Sequence, residues 1–338
     1  MPIILGIEST AHTFGIGICN DGKILSNVKD TYTTEKGGII PVDAAKHHKE
    51  RAWDIYAKSI ADAGISEKDI DAIAFSQGPG LAPCLMEGMR FTKELALKLK
   101  KSVVPVNHCI AHLEIGKITG SKDPVMLYTS GANTQVIAYS SGKYRVFGET
   151  LDIGVGNFLD NFARFLGIGF PGGPKIQKMA EEGKKYIEIP YSVKGMDIAL
   201  SGILTNLKQK VDGINKGTLD YTIEDLCYSA QETVFAMLIE VAERALAYTG
   251  KKELLMAGGV ACNPRLKEMA KKMCSERLNK TELFVPENPL LVDNGAMIAY
   301  AGEVLLKAGI KISFKDSEKL DIKPRQRTDD VEVTWRDN

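Results

Sequence analysis

Residues 8–23 read ESTAHTFGIGICNDGK, and residues 128–143 read YTSGANTQVIAYSSGK. The two stretches follow one plan. Each begins at the end of a short apolar strand, residues 3–7 in one and 125–127 in the other, and passes through small hydroxyl residues, Ser9 and Thr10 or Thr129 and Ser130. Each returns in a second strand, 14–19 or 135–139, and turns through a polar pair followed by Gly-Lys: Asn20-Asp21-Gly22-Lys23 and Ser140-Ser141-Gly142-Lys143. Polar-glycine pairs between strands signal hairpins, because such turns need φ > 0 at their centre. Third strands follow at 24–28 and 144–148. A second unit also recurs. A helical segment over 44–63 leads to an apolar strand at 70–75, then Ser-Gln-Gly-Pro-Gly, then a helix over 84–99. Later, an amphipathic segment over 223–248 leads to a strand at 253–257, then Gly258-Gly259, then a helix over 264–273. Val234, Leu238, Val241, Ala245 and Leu246 keep the helical period.

Working outward, this duplication predicts an α/β protein of two similar lobes around a central cleft. Its 338 residues suit two domains. The expected division is an N-terminal lobe over 1–117, completed by a C-terminal helix over 294–310, and a C-terminal lobe over 118–293. That second lobe carries a helical insertion over about 151–222, and 311–338 form a tail. The plan resembles the actin-like ATPase class shared by sugar kinases and heat-shock chaperones. No Walker-type P-loop and no G-x-G-x-x-G occurs, which argues against the two commoner nucleotide folds. Clefts between lobes are where small ligands sit.

Lys plus Arg and Asp plus Glu number 43 each, so the chain has no net charge. A free-standing nucleic-acid binder usually carries a basic excess; any attraction for RNA must come from a partner or a local patch. Lys93, Lys98, Lys100 and Lys101, or Lys175, Lys178, Lys184 and Lys185, are candidates beside their plainer reading as solvated helix faces. The six cysteines form no C-x-x-C pair and read as buried thiols of a reducing cytoplasm. The N-terminus lacks signal-peptide features, and no apolar run approaches the ~20 residues of a spanning helix. The expectation is a soluble, cytoplasmic protein with no membrane partner.

Chemistry concentrates in a few places. His108 and His112 stand at i, i+4, a spacing that puts two imidazoles on one helix face as ligands to one divalent ion. Cys109 follows His108 where the H-E-x-x-H motif of a zinc protease has its glutamate base, so that reading loses its base. Tyr128 and Asp293 are candidate further ligands. The His47-His48 pair cannot share a helix face and reads as structural or as support behind the site's ligands. In Thr129-Ser130-Gly131-Ala132, glycine lets backbone N–H groups turn toward an anion. Gly258-Gly259 can approach a flat ring or phosphate, and Asn263 reads equally as a helix cap. Gly172 and Gly173 open another helix that can face a phosphate or ribose.

Nine ordered stretches then carry a specific resemblance: GIESTAHTFGIGI, GGIIPVDAAKHH, SQGPGLAPCLMEG, VNHCIAHLE, YTSGANTQVI, GVGNFLDNFAR, PGGPKI, GGVACNPRL and LLVDNGAMIA. From about residue 3 to the tail PRQRTDDVEVTW, the chain resembles the tRNA threonylcarbamoyladenosine transferase family, in particular its archaeal and eukaryotic branch that works in the KEOPS complex. The resemblance implies an iron or zinc ion on His108, His112, Tyr128 and Asp293. It implies an adenine nucleotide held by Tyr128, Thr129, Ser130, Gly131 and Ala132, with Asp160 and Gly173 at the ribose and Asn263 beside the base. Gln177 stands where the family usually has glutamate, which weakens that ribose contact. The implied reaction transfers a threonylcarbamoyl group from its adenylate to an adenosine next to the anticodon. The implied partners are tRNA, a small kinase (fused in some archaea), a dimerising subunit and a small regulator. His12 and Glu8 are candidate general bases.

Overall fold

The computed structural model describes residues 2–35, 38–278 and 280–336. Its first sheet is built from β1 (Ile3–Glu8), β2 (Thr13–Asn20) and β3 (Lys23–Thr31). Helix α1 (Pro41–Ala63) then leads to β4 (Ala72–Gly78), α2 (Ala82–Leu99) and β5 (Ser102–Asn107). Helix α3 (His108–Gly116) leads to the second sheet, whose first strands are β6 (Val125–Thr129), β7 (Thr134–Ser140) and β8 (Lys143–Glu149). Helices α4 (Val155–Phe165) and α5 (Gly173–Glu182), the short pair β9 (Val193–Lys194) and β10 (Asp197–Ile198), and α6 (Ser201–Asn215) come next. Then follow α7 (Ile223–Thr249), β11 (Glu253–Ala257), α8 (Pro264–Glu276), β12 (Glu282–Phe284), α9 (Asn288–Leu291) and α10 (Gly295–Lys307).

The sheet orders are β3-β2-β1-β4-β5 and β12-β11-β6-β7-β8. Reversing the second gives the first: two antiparallel hairpin pairings on one side of the lead strand and two parallel pairings on the other. The duplication in sequence is therefore a duplication of topology. Both hairpin turns take the conformation their residues favour, with Asp21 at φ 50° and Gly22 at 73°, and Ser141 at 51° and Gly142 at 76°. Several boundaries differ by up to three residues from the sequence reading: the strand expected over 24–28 runs over Lys23–Thr31, the helices expected over 44–63 and 264–273 run over Pro41–Ala63 and Pro264–Glu276, and the helix expected over 294–310 runs over Gly295–Lys307. The strand expected over 70–75 runs over Ala72–Gly78, because Glu67–Asp69 form a 3-10 turn closed by a Ser66–Asp69 capping box that delays its start.

The first sheet is covered on both faces, so β1 reads as a continuous apolar run. Leu5, Ile7, Ile16, Ile18 and Phe75 pack on one face with Tyr56 of α1 and Phe91 of α2. Ile4, Cys19 and Ala74 pack on the other with Met297, Ile298 and Ala301 of α10. Helix α10 sits there with its main chain against the strands. A Cβ at Gly6 would stand 2.1 Å from the Ala299 nitrogen, and one at Gly17 would stand 2.2 Å from that of Ala296. This seat fixes the start of α10, where Asn294 caps Met297 N–H at 2.9 Å, and so fixes the neighbouring Asp293. In the second lobe α7 fills the core between β6–β8 and the helices α4–α6.

Replacing Gly17 by alanine forces its new methyl into α10's main chain, an overpacking worth about 1–3 kcal/mol or more. Gly202→Ala, at an open site in α6, is expected to raise stability by up to about 1 kcal/mol. Denaturant midpoints of the two variants should move in opposite directions; equal shifts would contradict the close seat of α10.

Candidate metal centre and nucleotide cleft

Asn107 ends β5, and its side chain accepts hydrogen bonds from the N–H groups of Cys109 (3.0 Å) and Ile110 (3.1 Å). This cap starts α3 with His108 in its first turn. His112 follows one turn on, and the two rings lie 4.9 Å apart between centroids. Asp293 arrives from the start of α10, its Oδ1 3.3 Å from His108 Nε2 and 3.5 Å from His112 Nε2. Candidate ligand atoms of these three residues all lie within 4.8 Å of one another. From the second lobe, the end of β6 brings the Tyr128 ring to 5.0 Å from that of His112. The Tyr128 hydroxyl and both His112 ring nitrogens are buried without a hydrogen-bond partner among the described residues. An unpaired buried polar group costs about 1–3 kcal/mol. One cation would satisfy several of these atoms together, so the donor set fits a divalent metal ion.

The local electrostatics agree with that fit. Burial opposes a charge on His108, but the carboxylates of Glu8 and Asp293 outweigh it and hold its pKa well above the ordinary imidazole value. Burial would likewise raise the Asp293 carboxyl, and the neighbouring imidazoles instead hold it well below the usual range. His112 is lowered by its burial. Glu8 is fully buried and fully engaged. Its Oε2 lies 3.0 Å from His108 Nδ1, while Oε1 accepts from Thr10 N–H (2.7 Å) and its hydroxyl (2.5 Å). A carboxylate on Nδ1 leaves Nε2 of His108 to face the cluster.

His12 lies outside this cluster, edge-on to Phe170 at 5.2 Å between ring centroids. Burial lowers its pKa against the opposing pull of Asp293 and Asp160, so its imidazole is neutral near pH 7. His47 and His48 turn elsewhere: His47 reaches Asp30 at 3.3 Å, and His48 donates to the Ala11 carbonyl at 3.0 Å with its pKa lowered to about 4 by burial.

The expected nucleotide residues divide. The Ser130 hydroxyl donates to the Asn133 carbonyl (2.9 Å) and Thr129 Oγ1 to that of Ala257 (3.2 Å), so these side chains brace the turn instead of pointing at an anion. The N–H groups of Gly131 and Ala132 make no hydrogen bond among the described residues, and both residues are exposed. Gly154, Gly156 and Gly258 press backbone to backbone against this turn: a Cβ at any of them would come within 2.9 Å of main-chain atoms of residues 129–132. Asp160 Oδ1 accepts the Gly172 N–H at 2.7 Å, and its carboxyl, with its pKa raised by burial, is stabilised in its charged form by the N–H groups of Gly172 and Gly173. Gln177 donates to Glu181 at 3.1 Å. Asn263 is used at both ends, capping Arg265 N–H (2.8 Å) and donating to Gln231 (2.9 Å), so its cap reading is the one its contacts display.

Two groups here escaped the sequence. Lys29 of β3 directs its amine to the Asp293 carbonyl at 3.4 Å, its pKa lowered by burial. Gln326 of the tail accepts from Asn107 Nδ2 at 3.2 Å, next to His108. A lysine within a hairpin strand and a glutamine in a polar tail give no pattern that predicts either contact.

Two like sheets, with a His-His-Asp cluster beside a glycine-braced turn, define a two-lobed protein of the actin-like ATPase class. Solved structures support that fold. A HypF from T. kodakarensis matches 91% of this chain and 48% of its own at a TM-score of 0.62 and 15% identity. Component A of (R)-2-hydroxyglutaryl-CoA dehydratase from Acidaminococcus fermentans matches 94% of this chain and 100% of its own at 0.54 and 13%. The chain belongs to the TsaD family, described as tRNA N6-adenosine threonylcarbamoyltransferase, whose model matches residues 23–300. A protein of that name from Thermococcus sibiricus is 55% identical over 333 residues, 98% of this chain and 100% of its own. One from Mus musculus is 48% identical over 341 residues, covering both chains fully. A probable bifunctional tRNA threonylcarbamoyladenosine biosynthesis protein from Methanosarcina mazei is 52% identical over 336 residues, which are 98% of this chain but 59% of its own.

A metal ion on this cluster must displace the proton that Glu8 and Asp293 stabilise on His108. With the folded pKa raised, competition begins above the ordinary imidazole value and grows as pH falls. Zinc affinity, measured by titration of chelator-treated protein, should therefore decline steadily from pH 8 to pH 6. An affinity independent of pH over that window would contradict the cluster as its binding site.

Proposed function

We propose that this protein makes threonylcarbamoyladenosine in tRNA. It moves the threonylcarbamoyl group from threonylcarbamoyl-adenylate to the exocyclic amine of the adenosine adjacent to the anticodon, in tRNAs reading codons that begin with A, and releases AMP. The new bond joins that amine nitrogen to the carbamoyl carbon, the mixed anhydride to phosphate breaks, and one amine proton must leave. The observation that carries this reading is the junction of the His108–His112–Asp293 cluster with the Thr129–Ala132 turn through Tyr128, in a chain that belongs to this transferase family.

In this reading His108, His112, Asp293 and Tyr128 hold one iron or zinc ion per subunit, since mixed imidazole and oxygen donors suit either metal. When bound, that ion supplies Lewis acidity for the carbonyl under attack. The chain's own residues do the rest. The free N–H groups of Gly131 and Ala132 face an anionic phosphate. Asp160, Gly173 and Gln177 line the ribose side, where the Gly172 N–H holds Asp160 Oδ1 in place. Asn263, whose side chain caps Arg265 N–H and donates to Gln231, lies beside the base. Glu8 positions His108, and neutral His12 is the better-suited acceptor for the amine's proton. Because an aryl amine is a weak nucleophile, orientation in the cleft supplies much of the rate gain.

The partners follow from the same reading: tRNA, and the KEOPS subunits comprising a small kinase, a dimerising subunit and a small regulator. The bifunctional relatives, of which this chain spans 59% or 61%, support a companion unit joined to this one in some lineages. The lobe division at residues 117 and 293, with an insertion over about 151–222, completes the proposal, as does a cytoplasmic location. Among the described residues no helix is long and apolar enough to cross a membrane.

Reconstitution tests this directly. Threonine, bicarbonate, ATP, the adenylate-forming enzyme and tRNA are supplied with and without the partner subunits, and the modified nucleoside is quantified. His108→Ala should lose at least about a hundredfold in rate, the scale of several kcal/mol of electrophilic stabilisation, with its fold intact. Equal product from variant and wild type would remove the cluster from the mechanism. Glu8→Gln should weaken metal affinity by about 10–100-fold, as loss of a group orienting a ligand does; unchanged affinity would refute its positioning role.

A further inference from the structure

The tail crosses the first lobe in front of α3. Lys323 N–H donates to the Gln77 carbonyl (2.8 Å), Gly80 N–H donates to the Pro324 carbonyl (3.1 Å), and Gln77 Nε2 donates to the Asp321 carbonyl (2.8 Å). Gly78 lies so close beneath that a Cβ there would stand 1.9 Å from the Lys323 carbonyl oxygen. Gln326 then binds Asn107, the cap that places His108. Gly80 in turn abuts Thr10, whose hydroxyl is 3.3 Å from His108 Nδ1. The tail is thus fixed by its backbone within two residue contacts of the proposed reaction centre.

That strap lines a surface concavity of about 590 Å³ with Lys323, Pro324, Arg325, Gln326 and Asp330. Neighbouring tail cations are neutralised: Lys319 by Asp316 (2.6 Å) and Arg327 by Asp329 (3.0 Å) and Glu149 (3.3 Å). Lys323 and Arg325 are exposed and form no ion pair among the described residues. Asp330, the one acid of the concavity, accepts the Arg327 N–H at 3.1 Å; counted against Lys323 and Arg325, it leaves the concavity one net positive charge. In a chain with no net charge, two such cations on a rigid strap beside the active cleft are a local positive site for a polyanion. The lysines singled out from the sequence are partly spent: Lys98 on Glu67, Lys93 on the Glu318 carbonyl and Lys175 on that of Gly169.

We propose that the concavity of residues 323–330 is a docking site for the tRNA sugar-phosphate backbone, with Lys323 and Arg325 each contacting a phosphate and the backbone-anchored strap setting the RNA's distance from His108. This rests on the transferase reading. It adds a surface that fixes register and orientation without reading sequence.

The test uses the full chain and K323A/R325A, whose exposed side chains can be removed while the strap's backbone bonds remain. Binding of a tRNA transcript is measured across a salt series, and steady-state rates are measured in the reconstituted reaction. The proposal expects tRNA affinity about tenfold weaker at moderate salt. It expects the slope of log affinity against log salt to fall by about 1.5–2, one phosphate contact per removed cation. KM for tRNA should rise while the rate at saturating tRNA and KM for the adenylate stay unchanged. K323E/R325E should lose more, and K323R should restore the lysine's share. Unchanged tRNA affinity and salt slope overturn the proposal, as does a defect confined to binding a protein subunit. Failure of the transferase reading is distinct: wild type would then make no modified nucleoside, whatever its tail variants do to RNA binding.

Discussion

The arrangement depends on where Asp293 is held. Its carboxylate meets two imidazoles from α3, and the Tyr128 ring of β6 lies beside that of His112 from the other lobe. The position of Asp293 is set by α10, whose main chain rests on Gly6 and Gly17 with no room for side chains between. Three separate parts of the sequence therefore reach one point because a helix late in the chain packs on strands that begin it. A shift of α10 by the width of a methyl group would separate the carboxylate from its partners.

Around that point the polar groups are layered. Glu8 behind His108 is wholly buried and saturated with donors, which suits a residue that aims another and leaves little of it for proton transfer. His12, kept neutral by burial near the acids of the cleft, has the opposite character. The turn over residues 129–132, the proposed phosphate site, spends its hydroxyls on the carbonyls of Asn133 and Ala257 and leaves the N–H groups of Gly131 and Ala132 free of partners among the described residues. Glycines on three sides hold it in that shape. Fixed dipoles of this kind need no reorganisation when charge develops.

How much was legible in the sequence follows from which features are periodic or paired. The mirrored hairpins were readable because their turns need particular residues at particular φ, and the His108–His112 pair because helical geometry fixes i, i+4 neighbours. Thr129 and Ser130 stood among the implied nucleotide contacts because sequence cannot show that their hydroxyls meet the carbonyls of Ala257 and Asn133. Asn263 stood equally as cap or ligand contact; its bonds to Arg265 and Gln231 display the cap. Lys29 and the tail contact of Gln326 were invisible, since each depends on contacts more than 200 residues away in the chain. The resemblance to the transferase family named the cluster's members, and the seat of α10 on β1 and β2 explains why Asp293 meets the imidazoles.

Anomalous scattering from crystals of zinc-loaded protein with bound AMP decides whether the cluster and the turn share one pocket. One ion is expected at about 2.0–2.2 Å from His108 Nε2, His112 Nε2, an Asp293 oxygen and the Tyr128 oxygen, with the nucleotide's phosphate on the Gly131–Ala132 N–H groups of the same pocket. An ion bound away from these four residues, or a nucleotide in a separate cavity, would contradict that shared pocket.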